Sequence, residues 1–171
     1  VLAMVAFGGD EGGGSTAIGS ENCQEESFPG LGPKHLGNPD ANVTYNSSPP
    51  SSGPHYQQAA PWGIYPDPIK QTILVHNLEH GGIVIQYGDV GEDTVKDIQS
   101  FYQDDPNGLI VAPYSKLGKK IALTAWNAPI YPQDSDLQDI DNGNGYVMTC
   151  TQWDAAAASE FRDERRNKAG E

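Results

Sequence analysis

The chain has 171 residues, which is enough for one domain with a substantial hydrophobic core. Its 10 Lys and Arg against 23 Asp and Glu give a formal net charge of −13, which repels the phosphate backbone of nucleic acids and attracts cations. A hydrophobic content of 37% is too low for a membrane-embedded protein, and 9% aromatic residues argue against wholesale disorder. We therefore expect a folded domain that binds no nucleic acid.

The first seven residues, Val1 to Phe7, are apolar, and the Gly-rich stretch that follows predicts a flexible tether. Seven residues cannot span a bilayer, which takes about 20. The segment is either the remainder of a signal or anchor sequence, in which case any membrane anchor is lost or absent, or a strand that pairs with another copy of the chain. We expect a tether over residues 1–20 and one domain over residues 21–171.

The two cysteines, Cys23 and Cys150, form no CxxC motif. An isolated pair in an exported chain most often forms one disulfide, and here that bond would close a long loop. The alternative is that Cys150 is a thiolate metal ligand near Met148. A disulfide favours an extracytoplasmic location: the cell surface, the periplasm or the medium.

Turn-forming residues dominate the segment 21–70, which should be mostly irregular, with one short strand over residues 42–45. Asn42 and Asn46 each begin a glycosylation-type triplet, which matters only in a host that glycosylates. Hydrophobic patterning then predicts strands over 83–87, 109–112, 121–126 and 146–150, and helices over 92–104 and 154–168, the second starting with a capping box at Thr151. This order predicts an α+β fold, with a small, mainly antiparallel sheet, two helices and a loop-rich N-terminal half.

All four histidines lie in the loop-rich half of the chain. His76 and His80 are four positions apart, so on one helical turn both imidazoles project to the same side. His55 follows the stiff segment PPSSGP, which can hold its side chain in place. Because imidazole suits zinc and copper, we predict a metal site with ligands His55, His76 and His80, and with His35 or Met148 as the fourth ligand.

Glu79 has three interpretations: an acceptor behind a ligating imidazole, a ligand itself, or a salt-bridge partner. For any one histidine taken alone, the alternative is an ordinary hydrogen bond to a loop carbonyl. The run HNLEH over residues 76–80 also matches the H-x-x-E-H pattern of inverzincin peptidases. We do not favour a peptidase, because two glycines end the run and residues 72–75 are β-prone.

Acidic residues between 134 and 143 suggest calcium, but the segment lacks the Gly and Glu positions of an EF-hand loop, and a solvated loop is expected. No nucleophile motif is present, so we assign no catalytic residue and no organic cofactor.

Several spaced segments resemble one known family. Residues 45–55 read YNSSPPSSGPH, residues 62–65 read WGIY, residues 75–82 read VHNLEHGG, and residues 123–126 read LTAW. Together they resemble the domain of unknown function family numbered 3105 over roughly residues 33–166. The resemblance implies an exported or membrane-anchored bacterial or archaeal protein without an established activity. Its motif positions map onto the residues already selected: His35, His55, His76, Glu79 and His80.

The sequence therefore predicts an extracytoplasmic metal-binding protein. Copper is preferred over zinc, because an exported site built from His and Met suits copper handling. The rival hypothesis is a structural subunit of a cell-surface filament or layer that self-associates through Val1 to Phe7. A metal-dependent hydrolase is the third.

Overall fold

The computed structural model describes residues 18–129 and 141–167. A six-stranded mixed sheet with the strand order β1-β8-β7-β5-β6-β4 organises them, and two short strands, β2 and β3, pair in parallel beside it. The strands are β1 (Cys23–Pro29), β2 (His35–Leu36), β3 (His55–Tyr56), β4 (Gly63–Ile64), β5 (Ile83–Tyr87), β6 (Leu109–Pro113), β7 (Ile121–Trp126) and β8 (Asn144–Cys150). The helices are α1 (Gln71–Glu79), α2 (Glu92–Asp104) and α3 (Ala155–Arg165), with a 3-10 turn at Ser115–Leu117.

The sheet has a hydrophobic cluster on each face, because successive side chains of a strand point to opposite sides. In β5, Ile83 and Ile85 join the cluster that α2 and α3 cover, whereas Val84 joins the cluster that α1 covers. Trp126, fully buried at the end of β7, packs in the cluster under α1. The sheet therefore separates an α1 face from an α2/α3 face.

The α+β class and the mainly antiparallel sheet are confirmed. The predicted strands over 83–87, 109–112, 121–126 and 146–150 form to within two residues, and α2 has the predicted bounds. The second predicted helix is shorter than expected and ends at Arg165. Its N-cap is Asp154, whose carboxylate accepts hydrogen bonds from the backbone N–H groups of Ala156 and Ala157, so the capping box predicted at Thr151 is wrong.

Three other local predictions are wrong. Residues 42–45 form no strand, and Tyr45 instead donates a hydrogen bond from its hydroxyl to the Pro54 carbonyl. The polar strand β1 forms within the segment expected to be irregular, because every one of its residues has a register partner in β8. A third helix, α1, covers the β-prone residues 72–75, because burial of Leu74, Val75 and Leu78 against the sheet outweighs local propensity.

The disulfide prediction is confirmed. Cys23 and Cys150 are register partners at one end of the β1–β8 pair, and they form a disulfide. Cys150 therefore offers no thiolate to a metal ion.

The tether and the apolar segment from Val1 to Phe7 lie outside the described residues, and so does most of the acidic loop. Among the helices of 18–129 and 141–167, none has the length and hydrophobicity that crossing a bilayer requires.

Candidate metal site

The first half of the site comes from the paired short strands. His35 of β2 and His55 of β3 are register partners, which brings their rings to a centroid separation of 4.8 Å. Gly53 precedes this pairing with φ at +118°, a conformation that favours glycine, and a Cβ there would press on Leu31 at 3.1 Å. The turn at Gly53 leaves its carbonyl 2.7 Å from His55 Nδ1. This contact with the Gly53 carbonyl thus fixes the orientation of the His55 ring.

The second half of the site is the C-terminal end of α1. His76, Glu79 and His80 have i, i+3, i+4 spacing, which places them on one face of the last turn. Asn77 anchors this turn, since its side-chain amide exchanges two hydrogen bonds with the backbone of Ala60. The carbonyl end of a helix carries partial negative charge, so this position favours a cation.

The ligand-type atoms of four side chains converge in this region. One atom each from His35, His55, His76 and Glu79 lies within 4.8 Å of the other three. Glu79 Oε2 is 2.9 Å from His55 Nε2 and 3.5 Å from His35 Nε2. His80 extends the group outward, with its Nε2 2.9 Å from His76 Nε2.

Backbone carbonyls select the tautomers of the two buried rings. Gly53 O lies 2.7 Å from His55 Nδ1, and Tyr56 O lies 2.7 Å from His76 Nδ1. Because a carbonyl can only accept, Nδ1 carries the proton in each ring, and a neutral imidazole then has its lone pair on Nε2. His55 Nε2 faces the Glu79 carboxylate, so two electron-rich atoms 2.9 Å apart require a proton or a metal cation between them.

Burial increases toward His55. The side chains of His55, Glu79 and His76 are buried, whereas His35 and His80 are exposed. Burial lowers the pKa of His76 and outweighs the opposing effect of its hydrogen bond to the Tyr56 carbonyl. Burial alone would raise the pKa of Glu79, but the hydrogen bond with His55 and the charges of the surrounding histidines hold that pKa below its ordinary value. Both shifts favour the metal-binding forms, a neutral imidazole and a carboxylate anion.

Most of the residues that build this site lie in a region of the chain that matches a known family. A family described as "Protein of unknown function (DUF3105)" matches residues 37–170. The chain belongs to this family. The region matched by DUF3105 contains His55, His76, Glu79 and His80, whereas His35 lies just before it. The searches of curated proteins and of solved structures gave no match.

The structure brings together most of the residues that the sequence predicts as metal ligands. Glu79 lies among the ligand atoms, beside His35, His55 and His76, and His80 contacts the group through His76. Met148 does not join them. It is fully buried in the α2/α3 cluster, on the sheet face opposite the histidines.

The sequence did not predict that Trp126 packs beside the site. The Trp126 ring stands edge-on to the His55 ring at 6.2 Å, and its indole N–H donates to the Asn142 carbonyl at 2.9 Å. The signal was present in the LTAW segment of the family resemblance, but its only structural interpretation was a strand. Trp126 shields His55 from water on the sheet side.

Proposed function

We propose that this protein binds one divalent transition-metal ion, zinc or copper, through His35, His55, His76 and Glu79, and that it does so outside the cytoplasm. The observation that carries the proposal is the contact between His55 Nε2 and Glu79 Oε2, made while His55 Nδ1 is committed to a backbone carbonyl. A ligating histidine in proteins is commonly oriented in this way, with its second nitrogen donating to a carbonyl or carboxylate.

The donor set agrees with the proposal in type, and two of its separations agree in spacing. Three imidazoles and one carboxylate suit zinc, which is bound at about 2.0–2.1 Å, so neighbouring ligand atoms of a tetrahedron stand about 3.3 Å apart. The 2.9 and 3.5 Å separations from Glu79 Oε2 bracket that value. Copper(II) also accepts nitrogen and oxygen ligands.

The position of Met148 changes the balance between the two metals. The sequence-based preference for copper rested on a mixed His and Met site. Met148 is buried on the other side of the sheet, so no thioether from it supports copper(I). The proposal therefore places zinc and copper(II) on equal footing.

The Cys23–Cys150 disulfide supports the extracytoplasmic part of the proposal. Structural disulfides persist in oxidising compartments and are rare in reducing cytosol.

Elemental analysis of the disulfide-intact protein tests metal binding. The protein is equilibrated with equimolar zinc and copper, passed over a desalting column, and its metal content is measured. We expect about one ion per chain, because the converging atoms form one four-ligand set. His76→Gln and Glu79→Gln should each lose most of the metal, whereas Met148→Leu, the matched control, should retain it.

Circular dichroism of each metal-free variant establishes that it is folded before its metal content is compared. Wild-type protein that emerges without metal would contradict the proposal. So would a folded Glu79→Gln variant that keeps the full stoichiometry, because the contact that carries the argument would then be dispensable.

A further inference from the structure

His80 stands outside the four-ligand set but touches one of its members. Its Nε2 lies 2.9 Å from the Nε2 of His76, which is close enough for both nitrogens to bind the same ion. Among the described residues, the set whose ligand atoms all lie within 4.8 Å of one another contains His76 and not His80. His76 is therefore shared between an inner group and an outer neighbour.

The rings are arranged in a row that leads inward. His80 stacks on His76 with centroids 4.8 Å apart, and the edge-on contact of His76 with the buried His55 has centroids 4.9 Å apart. Exposure falls along the path from His80, which is exposed, through His76, which is 8% exposed, to His55, which is fully buried. An ion that follows this path from solvent meets His80 before it meets His55.

We propose that His80 is an exchange ligand, which captures the ion together with His76 and passes it to the inner set one coordination bond at a time. The proposal rests on the proposed metal-binding function. In the outer position the ion is held by the Nε2 atoms of His80 and His76, with water filling its other positions. The bonds to His80 and to the waters then break as bonds to Glu79, His55 and His35 form, and the proton between His55 Nε2 and Glu79 Oε2 leaves to solvent, while His76 remains bound throughout.

Such a ligand changes rates more than affinity. His80 lowers the barrier between solvent and the inner site in both directions, so removing it should slow loading and release together. His35, the other exposed histidine, lies 3.5 Å from Glu79 Oε2 and belongs to the inner set. Removing His35 should mainly speed release and weaken binding, and this contrast makes it the matched control.

Stopped-flow fluorescence with copper(II) measures both rates, since a copper ion bound beside His55 should quench the neighbouring Trp126. Trp62 lies against Gly82, two residues after His80, so an ion bound at His80 could also quench Trp62. All proteins in the experiment therefore carry Trp62→Phe, which removes this second signal. Release is followed by adding excess EDTA. Zinc is measured in parallel with a chromophoric chelator.

For His80→Gln we expect loading and release both to slow by about tenfold or more, with the dissociation constant within about threefold of wild type. For His35→Gln we expect a dissociation constant weakened by about 10–100-fold, chiefly through faster release. Unchanged rates in His80→Gln, or weaker affinity at an unchanged loading rate, would overturn the exchange role while leaving metal binding intact. If wild-type protein binds neither metal, the proposed function itself fails.

Discussion

Replacing both cysteines by alanine should destabilise the fold strongly, because Cys23–Cys150 connects positions 127 residues apart. In the chain-entropy description, a cross-link that closes a loop of this length lowers the entropy of the unfolded chain by an amount worth about 5 kcal/mol at 25 °C. Measured losses on removing a native disulfide are typically about 2–5 kcal/mol. Domains are usually stable by only about 5–15 kcal/mol, so a large share of the total is involved.

Removing the disulfide should change the folded state less than the unfolded state. Strand β1 is at the edge of the sheet and keeps its pairing with β8, and its Glu25 also forms a buried ion pair with Arg165 at 2.6 Å. We therefore expect Cys23→Ala/Cys150→Ala to retain the native far-ultraviolet spectrum, while the free energy of unfolding falls by about 3–5 kcal/mol.

Urea denaturation followed by circular dichroism measures this change. EDTA is included, so that metal binding adds nothing to the stability of either protein. The slope of the free energy against urea should increase in the variant, because an unfolded chain without the cross-link exposes more surface. Wild-type protein under reducing conditions should behave like the variant. A loss below about 1 kcal/mol with an unchanged slope would refute the loop-closure argument.

Three further predictions concern named contacts. Arg165→Met leaves the buried carboxylate of Glu25 unpaired, so the free energy of unfolding measured in urea should fall by about 3–5 kcal/mol. The double variant Arg165→Met/Glu25→Leu should lose less stability, because it has no buried unpaired carboxylate; an equal or larger loss would contradict this cause. Asp154→Ala removes the N-cap of α3 and should lower the free energy of unfolding by about 1 kcal/mol. Asp154→Asn, which can still accept the capping hydrogen bonds, should retain most of the wild-type stability. Equal losses in the two variants would exclude capping as the cause. The hydrogen bond from Arg166 lowers the pKa of Asp105 from 3.8 to about 2. A carboxyl whose pKa is lower in the folded than in the unfolded chain stabilises the fold at pH values above the unfolded-state pKa, and this stabilisation is lost on acidification. The difference in the free energy of unfolding between wild type and Asp105→Asn should therefore be full above pH 4 and shrink as the pH falls toward 2. A difference that stays constant over this range would contradict the prediction.

The hydrophobic periodicity of the sequence predicted those strands and helices in which buried side chains recur at regular intervals or form an unbroken apolar run. The alternation and apolar runs of β5 and β7, and the helical spacing of Ile98 and Phe101 in α2, each identify an element without reference to its partners. It failed for α1, where seven of nine residues are buried and no polar face marks a helix. It also failed for β1, whose polar residues become a strand only because β8 offers them a register.

The site was predictable in composition but not in arrangement. Few side chains other than histidine have this ligand chemistry, so residue type, together with the spacing of His76 and His80, selected the histidines. The entry of Glu79 into the ligand set depends on how closely β3 approaches α1, a long-range packing distance that no local pattern encodes. Met148 was wrongly predicted as a ligand for the same reason. The face of the sheet on which it lies depends on how β8 pairs with β7, which no local pattern encodes.

The two faces of the sheet also divide the protein by the kinds of metal donor that they carry. The sulfur atoms of the described residues belong to Cys23, Met148 and Cys150, and all three lie in the cluster on the α2/α3 side. The histidines and Glu79 gather on the α1 side, against Trp126. The sheet thus separates every sulfur atom of the described residues from the proposed site, so an ion bound there would contact nitrogen and oxygen donors and no sulfur.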